Sequence, residues 1–302
     1  MTDQNHFIPD TLAPERHPRG ERGDSVVYPV ISRRARGLSL GINLFPERKV
    51  CDYDCPYCEI APFSNPGAGL ADGDIERELR LFFEGNWFLY KKEYKLKDIS
   101  ISGSGEPTLS PRLEEALRAA RRALGDEAAR DGTLSAVPIV LITNSTGFLR
   151  PEIVDLLAKF HTEARFDIWA KLDGGTERLH RQLSGSAFGL GEIVDGILAM
   201  SRRVPLTIQT MLLADARSGE LLFDAEAYAS TLAAIIGRGG GIEAVQLYTV
   251  ARHPRESWVA ALSDDAMREL ARGLRTSLVP EGARAGKIRI ECYGAYSELA
   301  WR

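Results

Sequence analysis

Residues Cys51-Asp52-Tyr53-Asp54-Cys55-Pro56-Tyr57-Cys58 carry three of the chain's four cysteines within eight positions, spaced C-x3-C-x2-C, just after the apolar run Leu38 to Phe45. Thiolates crowded this closely repel one another and oxidise readily unless a metal neutralises them. A structural zinc usually takes four ligands in two separated pairs, whereas an iron–sulfur cubane draws its cysteines from one short loop. No fourth cysteine stands nearby, the remaining one being Cys292. Three thiolates on a four-iron cubane leave one iron open, and an open iron is a place for chemistry. A zinc loop or a set of reactive thiols is the alternative reading of the same spacing.

Further polar residues recur downstream, each near the end of an apolar run. In Ser102-Gly103-Ser104-Gly105-Glu106-Pro107-Thr108, glycines let the backbone approach a ligand closely, and Glu106 can accept from an ammonium. Thr143, Asn144, Ser145 and Thr146 offer donors and acceptors, or else serve as Asx and Ser/Thr turn residues; Asn144 is the choice for ligand contact. In Ala170-Lys171-Leu172-Asp173-Gly174-Gly175-Thr176 an ammonium and a carboxylate stand two residues apart, hence on one face of a strand. Inside a barrel that is costly unless they pair or meet a ligand. Gln209 and Met211 share a face in the same way, and a buried Gln209 needs partners. Gln246, Tyr248 and Thr249 to Pro254 are candidates for the far rim, with Arg252 suited to an anionic substrate. His161, His180 and His253 show no metal-ligand spacing. Cys292 reads as a small buried hydrophobe, with a thiol or thiyl donor as a secondary reading, and no cysteines remain to hold a second cluster.

The elements that must position these residues alternate regularly. Strands are expected at Leu38–Leu44, Asp98–Ser102, Pro138–Thr143, Phe166–Leu172, Leu206–Leu212 and Ala244–Val250, with a last short strand at Ile288–Cys292 and a short edge strand from Val26 to Ile31. Between them fall helices at Ile75–Lys92 with Asp74 as N-cap, at Pro111–Leu124 with Ser110 as N-cap, and at Pro151–Phe160. A helical stretch broken around Ser184 to Gly191 resumes to Met200, and further helices cover Phe223–Ile236 and Asp264–Ser277. Strands alternating with helices argue for parallel βα units of one hand. Runs such as Ile139-Val140-Leu141-Ile142 are apolar on both faces, as in a covered parallel sheet. The count suits an α/β fold, a partial, open (β/α)6 barrel with short N- and C-terminal extensions, whose chemistry sits at the C-terminal strand ends.

C-x3-C-x2-C with Tyr57 before the last cysteine resembles the signature of the radical S-adenosylmethionine (radical SAM) enzymes. The resemblance implies that Cys51, Cys55 and Cys58 ligate a 4Fe-4S cluster whose open iron chelates SAM. One electron from the reduced cluster then cleaves SAM to methionine and a 5′-deoxyadenosyl radical, which abstracts hydrogen from a substrate. It places Tyr57 beside the adenine. Gly103-Ser104-Gly105-Glu106 resembles the family's Gly-Gly-Glu motif for the methionyl amino group, with Ser104 standing between the glycines. By the same resemblance Asn144 meets the SAM carboxylate or ribose, Lys171 the methionyl carboxylate or substrate, Asp173 a ribose hydroxyl or Lys171, and Gln209 the ribose or substrate. Leu40-Gly41-Ile42-Asn43-Leu44, Gly103 to Pro107, Ala170 to Asp173 and Gln246-Leu247-Tyr248-Thr249-Val250 are similar to the stand-alone branch related to tRNA wyosine-synthesis enzymes. Neither a flavodoxin-like domain nor extra cysteines accompany them, so an external one-electron reductant of flavodoxin or ferredoxin type is expected. A glycyl-radical-enzyme activase and a non-catalytic iron–sulfur carrier or zinc module are the competing functions.

The 302 residues are 44% hydrophobic and carry a net charge of −4, enough for a large core and without the basic surplus of a nucleic-acid binder. RNA remains a candidate substrate without support from net charge. No apolar stretch approaches the roughly 18–20 residues that span a bilayer, and Met1 to Asp10 lack a secretory signal. Clustered rather than paired cysteines point to a reducing cytoplasm. Residues 1–30 are expected as a flexible leader and 31–302 as the catalytic domain. Arg33, Arg34 and Arg36 form either a solvated turn or a phosphate-facing patch.

Overall fold

The computed structural model describes residues 25–32, 37–278, 287–295 and 299–300; the leader up to residue 24 and the Arg33–Arg36 cluster lie outside them. Buried strands and amphipathic helices alternate along the chain. Strand β1 (Val27–Ser32) is antiparallel to β2 (Gly37–Ile42). After it, β3 (Leu96–Ile101), β4 (Ile139–Thr143), β5 (Phe166–Lys171), β6 (Leu206–Met211), β8 (Ile242–Tyr248) and β10 (Arg289–Tyr293) add in parallel. The sheet order is β1-β2-β3-β4-β5-β6-β8-β10. Among the described residues β1 and β10 do not pair, so the curled sheet is a half-barrel. The sheet begins at Val27, so the boundary expected at residue 30 falls inside β1. Between β6 and β8 lies β7 (Ala214–Asp215), which pairs with β9 (Val259–Ala260) in a small separate sheet that the sequence pattern did not disclose.

Period-two alternation sorts each strand into two faces. Leu40, Ile99, Ile101, Leu141, Ile168, Ile208, Val245 and Leu247 are fully or almost fully buried in the apolar core. The residues between them point the other way. Helices α3 (Leu113–Arg130), α4 (Pro151–Glu163), α5 (Glu177–Ser184), α6 (Leu190–Ser201), α7 (Ala225–Gly237) and α8 (Asp264–Leu278) connect successive strands. Their apolar faces, Leu117 and Leu157 among them, join the same core.

Two helix starts differ from expectation. Gly73, at φ 80°, caps α1 (Asp74–Leu81), while the Asp74 carboxylate accepts from the Ala71 N–H at 2.7 Å one turn earlier. Ser110 accepts from Arg112 N–H at 3.2 Å and so closes the turn before α3, which starts at Leu113 and runs to Arg130. The expected Ile75–Lys92 helix is interrupted by a π-helical turn, Phe82–Asn86, before α2 (Trp87–Tyr90). Phe82 stacks on Tyr90 at 5.7 Å and meets Phe83 edge-on at 5.4 Å, which anchors this stretch to the core.

Candidate functional site

The cysteine loop leaves β2 and is pinned at once to the loop after β3. Val50 N–H donates to Ser104 O at 3.2 Å, and Glu106 N–H donates to Val50 O at 2.8 Å. Gly105 is required for this pairing, because a Cβ there would lie 2.0 Å from Val50 O. Gly103, at φ 146°, passes over Asn43, whose Oδ1 accepts from Ser104 N–H at 3.0 Å. On its other side the loop is held by Asp54 N–H to Ser184 O at 2.7 Å, by Glu256 N–H to Pro56 O at 3.0 Å, and by the Arg255–Asp54 ion pair.

Cys51, Cys55 and Cys58 line one cavity of about 310 Å³ together with Tyr57, Gly103, Gly105 and Glu106. Asn144, Lys171 and Gln209 line the same space from β4, β5 and β6, and Met211, Tyr248 and Arg252 from its far side. Ser104 and Asp173 are not on the wall. Ser104 is buried against Asn43. Asp173 sits behind Tyr57, accepting its phenol proton, and takes Met211 N–H at 2.8 Å on its other oxygen. The Tyr57 hydroxyl is therefore committed to a carboxylate that follows β5.

Lys171 lies 3.5 Å from Asp173, donates to the Tyr248 hydroxyl at 2.6 Å, and stands 4.8 Å above the Tyr57 ring. Burial disfavours its charge, but Asp173 and Tyr248 more than offset this, and the ammonium is held above its ordinary pKa. Lys171 is thus a cation aimed into the cavity, suited to an anionic group. Burial pushes the Glu106 carboxyl up. Oε1 accepts from Thr108 N–H at 3.0 Å and from the Thr108 and Thr143 hydroxyls, each at 2.7 Å; Oε2 accepts from Asn144 N–H at 2.6 Å. Oε2 keeps one further acceptor position for an incoming ammonium. Asn144 donates to Asp52 at 2.5 Å and to Cys51 Sγ at 3.8 Å, with its own oxygen capped by Thr146. Ser145, at φ 78°, is the one non-glycine with positive φ among the described residues, and its hydroxyl donates to Lys171 O at 2.9 Å. Strain of this kind is kept where surrounding structure over-determines the backbone.

The sulfurs suit a cationic centre. Burial raises the Cys51 thiol to about 11 and the Cys55 thiol to about 12, so a metal charge is needed to hold them as thiolates at neutral pH. Donors already face them: Tyr53 N–H lies 3.4 Å from Cys51 Sγ, and Lys49 Nζ lies 3.4 Å from Cys58 Sγ. Among the described residues no three His, Cys, Asp or Glu side chains converge on one ion. Lys49, Asp52, Tyr53 and Trp169 were not singled out from sequence. Tyr248 and Arg252 were placed at the rim, and Arg252 there pairs with Glu59. Cys292 faces α8, its thiol on Met267 O at 3.5 Å and raised to about 12 by burial. It lies on the opposite face of β10 from Glu291 and is a core residue rather than a donor to the cavity.

The half-barrel fold is shared with solved structures of radical SAM enzymes. In structure the chain is similar to a radical SAM methyltransferase from Sphaerobacter thermophilus, with TM-score 0.53, 16% identity, and 84% of this chain and 65% of that one covered. It is also similar to anSMEcpe with bound AdoMet, at TM-score 0.53 and 14% identity, covering 83% and 63%. TYW1 with a lysine-pyruvate adduct bound matches at TM-score 0.50 and 16% identity, covering 79% and 73%. These likenesses establish the fold. In sequence the chain is similar to UPF0026 proteins. That of Helicobacter pylori strain J99 is 28% identical over 177 residues, 59% of this chain and 52% of that protein. That of Methanocaldococcus jannaschii is 28% identical over 189 residues, 61% and 53%. The chain thus spans about half the length of these relatives. No protein-family model matches it. No helix among the described residues is long and apolar enough to cross a membrane.

Proposed function

We propose that the chain is a radical SAM enzyme in which Cys51, Cys55 and Cys58 hold a 4Fe-4S cluster and the adjoining cavity holds SAM. The observation that carries this reading is that the three cysteines share one cavity with the glycine loop, Glu106 and Lys171. When bound, the cluster supplies one electron to the SAM sulfonium and so generates the 5′-deoxyadenosyl radical that abstracts hydrogen from a substrate. The chain's own residues bind and orient. Lys171, kept protonated and fixed between Tyr57, Tyr248 and Asp173, attracts a carboxylate. Glu106 Oε2 takes an ammonium, and Gly103 and Gly105 permit close backbone approach. Tyr57, Asn144 and Gln209 complete the pocket, with Ser104 and Asp173 supporting it from behind. The electron comes from an external reductant of flavodoxin or ferredoxin type, and an oxygen-sensitive centre fits a cytoplasmic setting.

Anaerobically reconstituted protein given dithionite and SAM is expected to release 5′-deoxyadenosine, and Cys55→Ala is expected to abolish release. Undiminished release from Cys55→Ala refutes the assignment.

A further inference from the structure

The three sulfurs do not share one environment. Cys51 Sγ faces neutral amides, the Tyr53 N–H at 3.4 Å and the Asn144 side chain at 3.8 Å. Cys55 feels the charge of Lys171, which is itself paired with Asp173 at 3.5 Å. Cys58 is different: an ammonium, Lys49 Nζ, donates to its sulfur at 3.4 Å. Among the described residues no carboxylate pairs with Lys49, so nothing beside it cancels that charge. Lys49 does not line the cavity, whereas Cys58, Glu59 and Ile60 do. It is therefore set to act on the sulfur from behind the wall rather than on a bound ligand.

The backbone puts Lys49 in this position. The stretch before the cysteines runs back against the stretch after them: Arg48 and Ser64 form an antiparallel bridge, and Asn65 N–H donates to Glu47 O at 2.6 Å. Next along this pairing, Lys49 Nζ donates to the carbonyl of the buried Ile60 at 2.8 Å. The Cys58 thiol reaches the same carbonyl at 3.6 Å. As an iron ligand Cys58 has no proton to give, and Lys49 then keeps Ile60 O satisfied. An ammonium has three donors, enough to hold the carbonyl and the sulfur together.

Hydrogen bonds to the sulfurs and nearby charge help to set the reduction potential of an iron–sulfur cluster. An added electron makes a cluster more negative, and a cation on a ligating sulfur stabilises that state more than the oxidised one. We propose that Lys49, through its charged hydrogen bond to Cys58, raises the reduction potential of the cluster held by Cys51, Cys55 and Cys58 and so eases electron acceptance. Acting through Cys58, it is a positioning residue. The proposal rests on the 4Fe-4S reading. One electron passes from the external flavodoxin- or ferredoxin-type reductant to the cluster; Lys49 keeps its protons, and no bond forms or breaks.

The test is a potentiometric titration of anaerobically reconstituted protein, followed by electron paramagnetic resonance of the reduced cluster. Lys49→Met removes charge and donor, Lys49→Gln removes the charge and keeps a donor, and Lys49→Arg keeps both. The two neutral variants are expected to be harder to reduce by about tenfold, the lower end of what a hydrogen bond to a charged group is worth, or about 59 mV for one electron. Lys49→Arg is expected to titrate near wild type. The proposal is overturned if the neutral variants titrate at the wild-type potential, or if Lys49→Arg shifts as far as Lys49→Gln. It is also overturned if the neutral variants lose their iron, since Lys49 would then serve retention of the cluster and not its potential. Wild-type protein without a reducible cluster overturns the 4Fe-4S reading itself, an outcome distinct from a cluster whose potential ignores Lys49.

Discussion

Gly105→Ala tests whether the loop after β3 sets the position of the cysteines. The added Cβ would meet Val50 O at 2.0 Å and Phe45 Cδ2 at 2.8 Å. The first neighbour is backbone and cannot rotate away, so the two loops must separate by about 1.5 Å to reach ordinary contact. The hydrogen bonds that close the junction, 2.8 Å from Glu106 N–H and 3.2 Å to Ser104 O, break or stretch in that separation. At about 1 kcal/mol net each, the loss is about 2 kcal/mol. For a chain of this length that is a fall of about 4 °C in apparent Tm at the low end of the usual scaling. The larger consequence is local. Cys51 follows Val50 directly, so its sulfur shifts relative to Cys55 and Cys58, and iron bound per chain after anaerobic reconstitution should drop well below wild type. Gly125→Ala is the control, since nothing lies within 4 Å of its Cβ position and it is exposed within α3. It should stabilise the chain by roughly 0.5–1 kcal/mol through helix propensity and leave iron content unchanged. Wild-type iron content and Tm in Gly105→Ala would show that the junction does not govern the loop.

Lys171→Met leaves the buried Asp173 without its cation and should destabilise the chain by about 3 kcal/mol, with SAM affinity reduced in equilibrium dialysis; an unchanged affinity removes Lys171 from the site. The wild-type ion pair also has a pH signature: because the folded pKa of Lys171 is raised, its contribution is present below the ordinary lysine value and is lost as pH climbs through the raised one. Urea titrations above about pH 10.4 should therefore show wild type losing stability that Lys171→Met lacks. Cys292→Ala should cost about 1 kcal/mol from lost burial and leave 5′-deoxyadenosine release intact; abolished release would restore the reading of Cys292 as a thiol donor.

Strand positions were legible because apolar residues on the outer face recur at every second position, and a parallel strand must be covered on that side. The cysteines were legible because their chemistry depends on local spacing. Pairings across the barrel were not. Tyr57 and Asp173 stand 116 residues apart, and no periodicity reports a contact at that separation. Tyr57 is expected beside the adenine, and the bond from its hydroxyl to Asp173 behind it leaves no mark in the sequence. Lys49 carries no spacing signal either, since an ammonium two residues before Cys51 is as compatible with solvent as with Cys58. Ser39, Asp98 and Ser100 did leave a trace, polar residues on the inner face of strands whose outer face carries the buried Leu38, Leu40, Ile42, Ile99 and Ile101. That trace becomes readable only once the interior is known to be a cavity rather than a packed core. The helix starts at Asp74 and Ser110 were displaced because both side chains satisfy amides in the preceding turn, a local competition that caps and turns share.

The way the cysteine loop is held bears on the proposed cluster site. In a small zinc module the metal organises the chain, and the unliganded peptide is unfolded. Here Val50, Asp54 and Pro56 engage Ser104, Glu106, Ser184 and Glu256 through main-chain hydrogen bonds, and those partners belong to the loop after β3, the end of α5 and the segment after β8. Gly185, at φ 58° beside Asp54, and Gly105 beside Val50 allow the backbones to approach where any side chain would intrude. The cysteines are thus carried by three points of a rim that the barrel core fixes independently. Three cysteines carried on such a rim, beside a cationic, glycine-lined cavity, would suit the proposed cluster better than a metal that must fold its own site.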